Sequence, residues 1–194
     1  MDLSNEDAQK SLSLVENTMA ETRKSLTAAY SGPILILWGL IWILDFLGTH
    51  LFLKWVWLIW MVLNCIGVIG MVLICRQQFQ AASPTRHSAD DKIGRRIFWF
   101  WAFLGLYGFI WLAIFRPVNG IEINAFLCTV IMFAYVMMGL WTESHFMIWL
   151  GLAVTVATLV GFFLVPPNYY CLWMAPTAGG LLFGTGLWAR FCWS

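Results

Sequence analysis

The 194-residue chain is short of charge: Asp, Glu, Lys and Arg make up 11% of it, where a soluble domain carries about a quarter. With 61% hydrophobic residues and a mean hydropathy of +0.77, a water-soluble globule is excluded. The five cysteines (Cys65, Cys75, Cys128, Cys171 and Cys192) stand singly with no CxxC, so neither a disulfide frame nor a zinc or iron–sulfur site is indicated. The three histidines (His50, His87 and His145) fall in or beside loops on both sides of the apolar runs, which does not suit a haem pair or a three-histidine metal site. There is no Walker motif, no zincin motif and no Gly-x-Ser-x-Gly elbow, and no two carboxylates share a helix face for acid–base work. A net charge of +1 without a dense basic cluster excludes nucleic acid as a partner. The opening MDLSNEDAQK is acidic rather than basic, so no cleaved signal is expected and the first span itself directs insertion.

What the chain has in abundance is apolar runs of membrane length. Six are expected, over 33–47 (with room to run on toward residue 52), 55–75, 97–115, 121–141, 146–165 and 170–191. Most reach the roughly 20 residues needed to cross a hydrocarbon core about 30 Å thick. The polar passage 76–96 holds Arg76, Arg86, Lys92, Arg95 and Arg96, five of the eleven Lys and Arg residues. Counted from inside, nine basic residues fall on one side and two, Lys54 and Arg116, on the other, which predicts cytoplasmic termini and a cytoplasmic central loop. Trp55, Trp57, Trp99, Trp101, Tyr169, Tyr170, Trp173 and Trp193 sit at span ends, where an amphipathic ring favours the headgroup layer.

Residues 1–30 read as a cytoplasmic amphipathic helix ahead of a six-helix membrane domain over 31–194. Ser4 and Asp7 form a capping box, and Leu12, Val15, Met19, Thr22, Leu26 and Ala29 recur at steps of three and four. This stripe suits packing on the membrane surface or on cytoplasmic loops, or contact with a second copy or a cytoplasmic partner through 12–29.

The expected fold is thus all-α. The spans fall into three tandem hairpins related by an axis along the membrane normal, with Gly39, Gly105 and Gly151 in the first helix of each and Gly70, Gly139 and Gly186 late in the second. In size and layout, residues 33–191 with Gly39, Gly105 and Gly151 resemble the small six-helix bacterial inner-membrane proteins of the HdeD type. That resemblance implies a bacterial inner membrane and an envelope-stress setting; it carries over no functional residue.

Helix packing is expected where small residues recur. Pro176, Gly180 and Gly184 stand four apart in the last span, and Ala153, Ala157 and Gly161 do so in the fifth, which predicts a close approach of these two spans or an oligomer interface. Polarity inside the spans is sparse. Asn64 and Asn124 are each expected to make one interhelical hydrogen bond.

One constellation has ligand chemistry. Trp38, Trp42 and Asp45 stand at i, i+4 and i+7, so two indoles lead along one face to a carboxylate placed near the outer surface. Aromatic faces beside an anion suit a lipophilic cation. The competing reading packs the tryptophans and pairs Asp45 with His50, Lys54 or Arg116. These three with Glu122 form an outer polar cluster, and Asp45, His50, Arg116 and Glu122 would have to supply the chemistry of a lipid or isoprenoid enzyme. The sequence favours a non-enzymatic polytopic protein of accessory or regulatory type, with a small exporter of hydrophobic or cationic compounds as the alternative. It implies no cofactor or metal, and the bilayer is its main partner.

Overall fold

The computed structural model describes Gln9 and residues 32–81, 87–116 and 119–192. The amphipathic stripe over 12–29 and its capping box lie outside the described residues. Nearly everything described is helical, and five helices are long and apolar enough to cross a membrane. Helix α1 spans Gly32–Leu51, and after a short turn over Leu53–Trp55 come α2 (Val56–Ala81), α3 (His87–Phe115), α4 (Gly120–Trp141) and α5 (His145–Leu164). A turn at Pro167–Tyr169 leads into α6 (Tyr170–Met174), a π-helical turn (Ala175–Gly179) and α7 (Gly180–Cys192).

Local chemistry sets the boundaries. Pro33 opens α1, where its missing N–H costs no hydrogen bond. Arg116, at φ 44°, ends α3 in the left-handed region. The Asn119 side chain then caps α4 by accepting from the Glu122 N–H at 2.9 Å, while its amide donates to the Glu122 carboxylate, also at 2.9 Å. At the far end of α4, Glu143 takes φ 56° and the Ser144 N–H reaches back to the Gly139 carbonyl at 2.8 Å, a Schellman closure that turns the chain into α5 within three residues. Pro166 and Pro167 stop α5. Inside the last helical stretch, Pro176 has no N–H to donate and crowds the carbonyl four residues back, and the backbone answers with the π turn.

The two helices flanking the basic passage run on beyond the apolar runs. With 26 residues in α2 and 29 in α3, at 1.5 Å per residue, they are about 39 and 43 Å long, more than a bilayer core needs. Much of the passage expected as a loop is therefore helix, because the segments on either side of 82–86 keep helical propensity after their hydrophobicity ends.

Helix α1 packs against neighbours on two sides and leaves Leu40, Leu44 and Leu47 exposed. On one side it meets the last helical stretch almost backbone to backbone: a Cβ built on Gly39 would stand 2.6 Å from the Phe183 Cα, and one on Gly186 would stand 2.7 Å from the Ile36 nitrogen. On the other side α2 leans on it through Gly67, whose absent Cβ leaves room for Ile41 and the Trp38 ring. Helices α4 and α5 pair tightly, the Gly151 Cβ position being 2.8 Å from the Met132 carbonyl oxygen. That pairing cuts across the hairpin boundary that the repeat scheme draws between the fourth and fifth spans. The buried core is one cluster drawn from α1, α4, α5 and the stretch 170–192, including Leu35, Phe46, Met132, Val154, Met174 and Leu182. Helix α3 lies outside it, touching α4 where the Trp101 and Tyr135 rings meet at 6.1 Å, with Trp99, Phe103, Tyr107, Phe109 and Phe115 exposed. Such surface suits lipid, as hydrocarbon tails are as apolar as the side chains they meet.

Candidate functional site

The polar centre of the described structure is the upper part of the α1–α2 hairpin. Asp45 is 0% exposed. Six residues before the end of α1, at 1.5 Å per residue, it lies about 9 Å from the helix end. The Asn64 Nδ2 of α2 donates to Asp45 Oδ2 at 3.3 Å and to the Trp60 carbonyl at 2.8 Å. Asp45 Oδ1 is buried and has no hydrogen-bond partner among the described residues. One turn nearer the hairpin tip, Trp60 Nε1 donates to Thr49 Oγ1 at 2.9 Å. The two helices are thus laced by two polar rungs at matching four-residue steps, Asp45 to Asn64 and Thr49 to Trp60.

Aromatic rings cluster in the same part of the hairpin. Trp42 and Phe46 meet edge to face at 6.3 Å, and Phe46 and Trp60 do so at 5.6 Å. Trp42 is only 6% exposed, and Trp38, half-buried, presses its ring against the Gly67 backbone of α2. The tryptophans therefore pack within the bundle rather than leading to open solvent. The sequence placed Asp45 near the surface and in reach of Lys54 or Arg116. The structure places it deeper: α1 extends to Leu51, and Asn64 stands opposite the carboxyl.

The outer polar residues are distributed over separate elements. His50 is half-buried in the last turn of α1, Lys54 is exposed in the turn that follows, Arg116 is exposed at the end of α3, and Glu122 is half-buried in the first turn of α4 beside its cap Asn119. Glu122 and Asn119 border a cleft of about 170 Å³, whose wall includes Gly161, Phe162, Pro167 and Tyr170. Beneath the cleft Tyr170, 1% exposed, donates its hydroxyl to Asn124 Oδ1 at 2.9 Å, joining α6 to α4. Alongside it the Trp173 indole donates to the Ala157 carbonyl at 2.9 Å, joining α6 to α5.

Both intramembrane asparagines thus bond a neighbouring helix, as their isolation in apolar sequence implies; their partners, Asp45 and Tyr170, are not indicated by any spacing. Of the small residues marked for packing, Gly161 meets the Trp173 and Tyr170 rings. A Cβ on Gly184 would find nothing within 4 Å among the described residues, and one on Gly180 meets only the preceding turn of its own helix. The close seam of the last stretch runs instead through Gly179 and Gly186, and it faces α1 rather than α5. Among the described residues no three His, Cys, Asp or Glu side chains gather where they could hold a metal ion. No family model, curated protein or solved structure matches this chain.

Proposed function

We propose that this is a non-enzymatic polytopic protein of the bacterial inner membrane, an accessory or regulatory component of the envelope-stress type. Both termini and the basic passage face the cytoplasm. The observation that carries this reading is how the polar side chains inside the spans are used. Asp45 with Asn64, Thr49 with Trp60, and Asn124 with Tyr170 each tie one helix to another, as in a scaffold. The nine-to-two distribution of basic residues supports the orientation. The stretch 170–192, 23 residues and about 34 Å long, supplies the sixth crossing.

Native mass spectrometry of the purified protein tests the functional half. The chain with ordinary lipid adducts is expected, whereas a stoichiometric quinone, haem or isoprenoid would overturn the reading. Thiol labelling tests the orientation: with the native cysteines replaced, Ser88→Cys should resist a membrane-impermeant reagent in intact cells and Asn119→Cys should react. The opposite pattern would invert the topology.

A second reading, a small exporter of hydrophobic or cationic compounds, is favoured by one specific feature. A carboxylate inside a membrane helix with an unpartnered oxygen is the group such a protein uses to hold its cargo. Saturable binding of tetraphenylphosphonium by the purified protein is its test.

A further inference from the structure

Among the described residues, Asp45 alone has a buried side-chain oxygen with no hydrogen-bond partner. Its Oδ2 receives one amide hydrogen and its Oδ1 receives nothing, although the residue is wholly buried. Among the described residues no basic group is placed to compensate. The other titratable side chain of α1 is His50, half-buried five residues nearer the tip. Helix α2 brings no charged residue between the exposed Lys54 of the preceding turn and Arg76. The stretch 170–192 brings Arg190 alone, near its far end, while α4 and α5 bring Glu122 and His145, each within the first three residues. A bare carboxylate in such surroundings costs far more than the single amide bond returns, so its charge has to be met by something mobile.

The surroundings indicate what that is. The Trp42, Phe46 and Trp60 rings, clustered in the same stretch of the hairpin as Asp45, favour a large, weakly hydrated cation over a small hydrated one. Helix α2, which carries Asn64, presents most of its apolar surface outward, with Ile66, Ile69 and Leu73 exposed. Displacing α2 would therefore open Asp45 to the bilayer.

Building on the exporter reading, we propose that Asp45 is an exchange site: a proton occupies Oδ1 in the closed bundle, and a lipophilic organic cation entering between α1 and α2 takes its place. The balance is simple. The O–H bond of the carboxylic acid breaks, the proton leaves to water, and the carboxylate pairs with the incoming cation without any redox step. A proton and a cation that share one carboxylate exclude each other, so binding should weaken as pH falls.

Infrared spectroscopy of the purified full-length protein tests the proton. A carboxylic-acid C=O stretch that shifts in D2O should appear in wild type and be missing from Asp45→Asn, a variant of the same size that still accepts from Asn64. If wild type lacks that band, the proposal is overturned, whatever else binds. Titration with tetraphenylphosphonium in weakly buffered detergent tests the exchange. About one proton should be released per cation bound, with loss of the infrared band, no binding by Asp45→Asn, and both binding and release retained by Asp45→Glu. Saturable binding without proton release overturns the exchange but leaves the exporter reading standing. No saturable binding at all removes both.

Discussion

Helices α1 and α3 look alike on paper. Each is an apolar span studded with tryptophan and interrupted by glycine, and each was assigned the first place in a repeated hairpin. In the structure they have little in common. Gly39 of α1 lies against the Phe183 backbone, whereas a Cβ on Gly105 of α3 would meet nothing within 4 Å. Trp42 meets Phe46 one turn on with both rings buried; Trp111 meets Phe115 at the same spacing with both rings exposed. A glycine or an indole in a membrane helix has no fixed meaning of its own. Its effect is set by whether a second backbone or only lipid stands opposite, since lipid accepts an apolar face at no cost.

Substitutions can break or sharpen that contrast, and their effects should fall in order. Gly186→Leu drives a side chain into the Ile36 backbone of α1, with no flexible group to yield, and should cost about 3 kcal/mol or more, read as a collapse of thermal stability in detergent. Asn64→Leu strips the carboxyl of the one hydrogen-bond donor it has among the described residues and should cost about 1–3 kcal/mol. If Asn64→Leu melts with wild type, Asp45 is not held against α2. Tyr170→Phe removes one interhelical bond to Asn124 without opening a cavity, and a loss of about 0.6 kcal/mol is expected, a small but measurable drop in melting temperature. Gly184→Leu, facing open space, should stay within about 0.5 kcal/mol of wild type. A large loss there would mean that this face is covered, for instance by a second copy.

The gap between Gly184 and Gly186 also shows where the sequence stops informing. The spans were legible because membrane thickness imposes length and apolarity, and the interhelical bonds of Asn64 and Asn124 were legible because an amide in hydrocarbon must find a partner. The glycine seam was not. The sequence shows a regular four-residue spacing at Gly180 and Gly184, but Gly180 stands about 100° round the helix from Gly179, and only the fold decides which of those faces meets α1. Asp45 failed to read as buried for a related reason. The polar residues around it in sequence, His50 and Lys54, pointed to the surface, while its partner Asn64 lies nineteen positions away on the returning helix.

The central claim is that α1 is the packed hub of the bundle while α3 stands at its lipid-facing edge. The direct measurement is thermal unfolding of Gly39→Leu beside Gly105→Leu in the same detergent. The account predicts that Gly39→Leu fails to form a stable bundle while Gly105→Leu unfolds at the wild-type temperature. Equal losses in the two variants, or tolerance of leucine at Gly39, would contradict it.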